Sequence, residues 1–255
     1  MPWKRGITLK TPDELAIMRE AGRINARALA AARAVIRPGV TTAEVDAAAA
    51  EVIRKNGAQP AFLGYGDPPF PAVTTVSVND ELVHGIPGKR KLREGDIVSV
   101  DCGTVFEGYV GDSAFSVGLG TPSPLASKLL RVTEAALLAG IEKMVVHNRT
   151  GDVSAAIQGV VERAGFHVVR DYTGHGVGRA MHEDPQVPNY GQAGRGVPLR
   201  EGMTIALEPM VLVGTNETAV LDNHWTVVST DGSLTAHFEH TVAVTADGPL
   251  ILTLE

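Results

Sequence analysis

Four acidic residues and one histidine stand out as groups able to do chemistry: Asp101, Asp112, Glu208, Glu239 and His175. Asp101 lies in the apolar run Ile97 to Cys102. Asp112 lies on the run Val110 to Val117, beyond a Glu107-Gly108 turn, so the spacing predicts a β-hairpin. With the turn centred near Phe106 to Gly108, the two carboxylates face each other directly or diagonally on one side, Cβ atoms roughly 5 to 8 Å apart. Half-buried like charges that close persist only with a proton or a cation between them. Taken alone, the pair reads more simply as two strand-end aspartates that cap loops. It is not alone. Glu208 ends the run Met203, Ile205, Leu207 before Pro209, and Glu239 leads into the strand expected over Thr241 to Val244. His175 sits in Gly174-His-Gly-Val-Gly178, where missing side chains let backbone and substrate approach closely. Each of these residues also has an ordinary reading, as a packed histidine or a charged strand end. Together they offer a hard, oxygen-rich ligand set that suits Mn, Fe(II), Co or Zn in a paired site better than a structural zinc. Two divalent metal ions sharing carboxylates would lower the pKa of a water and polarise a carbonyl, which is the chemistry of hydrolysis.

Two further imidazoles, His84 in Val83-His-Gly-Ile-Pro87 and His182 after Met181, suit hydrogen-bond donation or proton transfer near neutral pH, or an ordinary surface role. Other motifs fail. His182-Glu-Asp-Pro-Gln186 begins like a zinc helix, but its fifth residue is Gln and Pro185 would break the helix. Cys102 follows Asp101, so its side chain lies on the opposite strand face and reads as a packed thiol.

The elements that must carry these groups come in two similar sets. Thr11, Pro12 and Glu14 form a capping box for a helix over about 12 to 36. Thr41 and Glu44 form a second, for a helix running to Asn56 and Gly57. Strands follow at Val73 to Val78, Ile97 to Cys102 and Val110 to Val117. Sliding the chain against itself by about 107 to 110 residues returns this order. Thr11, Pro12 and Leu15 reappear as Thr121, Pro122 and Leu125, and Glu44, Val45 and Gly57 as Asp152, Val153 and Gly165. Leu92-Arg-Glu-Gly95 reappears as Leu199-Arg-Glu-Gly202, which sets Glu208 opposite Asp101. The reading is an α+β chain of two related halves, about 11 to 118 and 121 to 248, behind a short arm over 1 to 10. The halves share a sheet with helices outside, and a site is expected between them.

Bulk composition narrows the class. A chain of 255 residues can bury a large core, and its formal net charge of −6 argues against a protein that wraps nucleic acid, leaving the basic run Lys89, Arg90, Lys91, Arg93 as a solvated loop. A single cysteine excludes an internal disulfide and suits a reducing compartment, so the cytoplasm is expected. Neither a signal peptide nor an apolar run long enough for a membrane span is visible.

The ordered set His84, Asp101, Asp112, His175, His182, Glu208 and Glu239 resembles that of the type I methionine aminopeptidases over nearly the whole chain. The matching segments are Asn79 with His84-Gly-Ile-Pro, Ser99-Val-Asp-Cys-Gly103, Gly108 to Asp112, Gly174 to Pro185, Glu208-Pro209 and Glu239-His-Thr. The resemblance implies the pita-bread fold of two pseudo-symmetric halves with a central curved antiparallel sheet and outer helices, in one catalytic domain over 1 to 255. It implies that Asp101, Asp112, His175, Glu208 and Glu239 bind two metals, with Asp112 and Glu239 bridging and Glu208 also the general base. His182 would steady the scissile carbonyl, His84 would contact the scissile amide, and Phe62, Phe70, Thr75, Met181 and Trp225 would line a methionine pocket or serve as plain core. The implied substrates are nascent polypeptide N-termini with a small second residue. The remaining expectations are a monomer, contact with the ribosome, and neither DNA nor membrane as partner. One loop departs from the family pattern Gly-Tyr-His-Gly-Tyr-Pro: Gly64 and Tyr65 lead into Gly66-Asp-Pro-Pro-Phe-Pro71. Two alternatives stand beside this reading. One is a proline-specific peptidase such as prolidase or aminopeptidase P, disfavoured by the short arm. The other is a non-catalytic pita-bread binding module, disfavoured because no metal ligand is missing.

Overall fold

The structure is a computed structural model, and it describes residues 4–255. The expected arm is therefore described from Lys4 onward, residues 1–3 lying outside the described residues. It opens with strand β1 (Lys4–Ile7), followed by helix α1 (Pro12–Val35) and helix α2 (Thr42–Lys55). Both predicted capping boxes are present: the Thr11 and Thr41 hydroxyls accept from the Glu14 and Glu44 amides, and each glutamate accepts from its threonine amide. Short β2 (Gln59–Pro60), β3 (Thr74–Val78) and β4 (Glu81–Val83) lead to the long hairpin β5 (Ile97–Phe106) and β6 (Tyr109–Gly118).

The second set begins with α3 (Pro124–Ile141) and α4 (Thr150–Arg163), then β7 (His167–Val168), β8 (Thr173–Gly176) and β9 (Glu183–Pro188). Next come β10 (Thr204–Leu207), β11 (Met210–Leu212), β12 (Thr218–Val220), β13 (Val227–Ser229), β14 (Thr235–His237), β15 (Glu239–Thr245) and β16 (Gly248–Ile251). One detail of the repeat differs. The cap of α3 is Ser123, whose hydroxyl accepts from the Ala126 amide with Pro124 at the first helical position, and Thr121 lies two residues before it. The match at α4 holds: Asp152 accepts from the Arg149 amide, and Gly165 follows the helix at φ 82° as Gly57 follows α2 at φ 67°.

The ten-stranded sheet runs β1-β9-β8-β10-β15-β6-β5-β2, with β3 also on β5 and β16 on β15. Its middle is near-palindromic. Strands β3, β5 and β6 of the first half mirror β8, β10 and β15 of the second, and β6 pairs β15 at the join. The halves differ in what separates their inner strands. A two-residue turn joins β5 to β6, whereas β10 and β15 are separated by the excursion through β11 to β14. Hence the constant offset relates Asp101 to Glu208 but not Asp112 to Glu239.

Pleating sorts the faces of the hairpin. Val98, Val100 and Cys102 are fully buried under the helices, where each apolar side chain contributes roughly 1.5–3 kcal/mol. Ser99, Asp101 and Gly103 look the other way, opposite Ser116, Ala114 and Asp112 in the register. Helix α1 lies against the back of the hairpin. There the buried Asn25 donates to Ser113 and accepts from Thr104 at 2.8 Å each, and a Cβ on Gly111 would sit 2.6 Å from the Gly22 nitrogen. The run once readable as a zinc helix is instead β9, and Lys89, Arg90, Lys91 and Arg93 are exposed.

Candidate metal centre and active site

The sheet brings the five acidic and imidazole groups together by register. Asp101 pairs with Ala114, and Ala114 with Glu239 on β15, so these three form one row across the floor. Asp112 lies two residues along β6 from Ala114 and therefore diagonal to Asp101, one of the two arrangements the hairpin spacing allowed. Across β10, Ala206 pairs with both His175 and Thr241. Glu208 stands one residue beyond the end of β10. Thr241 ties the join, its hydroxyl accepting from the Asp112 amide at 3.0 Å and donating to the Asp112 carbonyl at 2.8 Å.

The glycines framing His175 have a packing reason. A Cβ on Gly174 would lie 2.7 Å from the Ala206 carbonyl oxygen, and one on Gly176 2.3 Å from that of Asp184. The His175 Nδ1 lies 3.0 Å from the Gly176 carbonyl. A proton on Nδ1 donates to that carbonyl, and the Nε2 lone pair then faces Glu208 at 3.4 Å and Asp112 at 3.7 Å.

Ligand atoms of Asp112, His175 and Glu239 all lie within 4.8 Å of one another. Asp101 Oδ1, Asp112 Oδ1 and Glu239 Oε1 are buried without a hydrogen-bond partner. An unmet buried acceptor costs about 1–3 kcal/mol, and four carboxylates at this spacing are unstable as anions. Burial, then the neighbouring Asp112 charge, pushes Asp101, Glu208 and Glu239 well above the usual carboxylate range. Burial raises Asp112 to about 7. Divalent cations relieve both problems at once, and the residues fit them. Burial also keeps the surrounding imidazoles neutral, lowering His84 and His182 to about 4 and His175 to about 3.

One cavity of about 170 Å³, several times the roughly 30 Å³ share of a liquid water, opens on this cluster. Its lining contains all five acidic and imidazole residues, His84, His182, and all of Phe62, Phe70, Thr75, Met181 and Trp225. No predicted site residue falls elsewhere. The unusual loop is packed onto the pocket wall. The Trp225 indole donates to the Pro68 carbonyl at 3.1 Å and lies edge-on to Phe70, with ring centres 5.2 Å apart. A Cβ on Gly66 would strike the Trp225 ring at 2.5 Å. His84 is held in the left-handed region at φ 60°, an uncommon backbone state that turns its ring toward Trp225 at 6.1 Å.

Two residues of the site escape the sequence reading. Tyr65 also lines the cavity, and its hydroxyl lies 2.5 Å from Nδ1 of His182; being in a loop, it has no periodicity that would flag it. His237 Nε2 stands 3.7 Å from Glu239 and 4.0 Å from Glu208, buried and without a hydrogen-bond partner. Its position two residues before Glu239 was the available signal.

A buried cluster that calls for cations, open to an aromatic pocket, is what a pita-bread metallohydrolase requires, and the fold is of that class. The methionine aminopeptidase of Thermotoga maritima matches it with a TM-score of 0.95 at 48% identity, covering 98% of this chain and 100% of that one. The chain belongs to metallopeptidase family M24, which residues 16–246 match. The methionine aminopeptidase of Clostridium perfringens is 50% identical over 249 residues, covering 97% of this chain and 99% of its own. A prolidase from Pyrococcus furiosus shares the fold with a TM-score of 0.79 at 24% identity, this chain spanning 65% of its length. Among the described residues no helix is long and apolar enough to cross a membrane.

Proposed function

We propose that this protein removes the N-terminal methionine from nascent polypeptides, as one catalytic domain acting in the cytoplasm as a monomer beside the ribosome. The observation that carries the reading is the juxtaposition of a carboxylate-rich cation cradle with an apolar aromatic pocket, in a chain similar to methionine aminopeptidases along almost its whole length. Asp101, Asp112, His175, Glu208 and Glu239 are the residues that would hold two divalent ions. When bound, such ions polarise a carbonyl and lower the pKa of water.

The side chains account for the rest. Glu208, at the cavity edge of the cradle, takes the proton of the attacking water and returns it to the leaving amine. His182 is neutral, and with Tyr65 donating to Nδ1 its Nε2–H is the donor to the scissile carbonyl oxygen. His84 contacts the scissile amide. Phe62, Phe70, Thr75, Met181 and Trp225 receive the methionine side chain, whose flexible thioether suits an aromatic-rimmed pocket. The buried Cys102 takes no part.

The test is metal-free protein reconstituted separately with Mn, Fe(II), Co and Zn, with ions per chain counted, and assayed on Met-Ala-Ser and on an Ala-Pro peptide. Faster cleavage of the Ala-Pro peptide overturns the methionine assignment. Equal rates with Ala and with bulky second residues overturn the small-residue preference. Full activity at one ion per chain overturns the paired site.

A further inference from the structure

His182 and Met181 sit in the connection between β8 and β9, and what holds that connection is an ion pair made with the N-terminal segment. Glu183, the residue after His182, is almost wholly buried, with 1% of its side chain exposed, and Lys10 is 5% exposed. The Lys10 ammonium lies 2.9 Å from Glu183 Oε2 and donates to the Thr8 hydroxyl at 2.7 Å, and that hydroxyl donates to the same carboxylate oxygen at 2.5 Å. The other oxygen, Oε1, accepts from the Ala180 amide at 3.2 Å, so the Glu183 side chain closes a turn around Met181 and His182. Main-chain contacts complete the clamp: the Lys4 amide donates to the His182 carbonyl at 3.0 Å and the Lys10 amide to the Gly202 carbonyl at 2.7 Å. Gly178 lies against the pair, since a Cβ there would meet the Lys10 Cε at 2.5 Å and Glu183 Oε1 at 3.0 Å.

A buried pair of this kind is weak as a source of stability, because desolvation of both charges offsets their attraction, and apolar side chains of similar size often stabilise as much. Its value lies in geometry, because an apolar pair cannot accept from the Ala180 amide. We propose that Lys10 and Glu183 are positioning residues for the reaction, with Lys10 fixing the carboxylate that sets the turn carrying His182 and Met181. This rests on the aminopeptidase reading above for its kinetic consequence, but the geometry of the turn is measurable without it.

The test uses Lys10→Met, Lys10→Met/Glu183→Leu and, as a milder change, Thr8→Val, each as the full chain loaded with Mn. Activity on Met-Ala-Ser, ions per chain, melting temperature, the His182 ring signals and the Met181 methyl signal are read together. Six methionines in the chain make that methyl signal resolvable by labelling. Lys10→Met removes the buried counter-charge of Glu183 and leaves only the partly exposed Lys4 ammonium, 3.6 Å from Oε1, so melting temperature and kcat both fall, kcat by about 10- to 100-fold. In the double variant the melting temperature recovers while kcat stays at least about tenfold low, ions per chain are unchanged, and the His182 and Met181 signals remain displaced. Thr8→Val shows the same displacement to a smaller degree and serves if Lys10→Met does not fold. A double variant with kcat within about twofold of the parent, or unmoved His182 and Met181 signals in folded variants, overturns the proposal. Should the parent cleave no methionyl peptide, the aminopeptidase reading fails, and the two signals alone decide whether the pair positions the turn.

Discussion

Glu208 carries two assignments, ligand and proton acceptor, and the two separate under substitution. Glu208→Gln keeps an oxygen for the metal and removes the base, so kcat on Met-Ala-Ser falls by about 10² to 10⁴ at saturating metal with ions per chain retained. Unchanged kcat in a metal-loaded variant removes Glu208 from the proton transfer. Tyr65→Phe tests the other side of the reaction. It leaves the Nδ1 of His182 without the hydroxyl 2.5 Å away, and the loss of one buried hydrogen bond, worth about 1–1.5 kcal/mol, predicts a kcat reduced about five- to tenfold with KM little changed. The five acidic and imidazole groups of the cradle were legible in the sequence because they interrupt apolar runs or sit among glycines, whereas His84 and His182 stood out only as imidazoles and were placed by the family resemblance. Tyr65 was not, because its proximity to His182 is set by how the loop from Phe62 to Phe70 folds back, with the Phe70 amide donating to the Tyr65 carbonyl and the Gly64 amide to that of Phe70. Such a fold-back leaves no repeating pattern.

At the level of elements, the placement of Asp112 depends on how closely α1 approaches β6. Glycines meet there on both sides, Gly22 and Gly111, and Gly22 is also pressed by the Leu252 carbonyl, 2.2 Å from where a Cβ would stand. Gly111→Ala forces helix and hairpin apart, with a cost of roughly 1–3 kcal/mol in urea unfolding, and it weakens metal binding because Asp112 is the next residue. A variant that loses stability but binds metal with parental affinity shows that the helix and the cradle are independent. The hairpin and both capping boxes were readable because each rests on local rules of spacing, and the offset between Asp101 and Glu208 because Leu-Arg-Glu-Gly recurs before each. The cap of α3 falls at Ser123, two residues beyond the Thr121 that echoes Thr11, and Thr121-Pro122 and Ser123-Pro124 have the same form in sequence. The long excursion between β10 and β15, which delivers Trp225 and His237, has no counterpart in the first half and so no echo in the repeat.

For the whole molecule, the crowded carboxylates couple stability to pH and to metal. In the metal-free protein Asp112 titrates at about 7 and its three acidic neighbours above the usual range, whereas unfolded carboxylates titrate near 4. Between these values the folded chain binds more protons than the unfolded one, so these groups make the metal-free fold less stable as pH rises from about 4 through 7. Bound cations replace the protons, so affinity climbs over the same window. The difference in melting temperature with and without chelator is therefore small near pH 5 and grows toward pH 8; a difference constant across that range contradicts the crowding of charge described for the cradle.

The seam between β6 and β15 also gives the protein a timetable. Asp101 and Asp112 leave the ribosome first, on a hairpin whose β6 edge has no partner, and Glu239 follows 127 residues after Asp112. Until β15 docks, the newborn chain exposes an open strand edge and holds two acids that have nothing to share. An enzyme that trims other newborn proteins must itself be extended as far as Glu239 before its cradle can close on an ion.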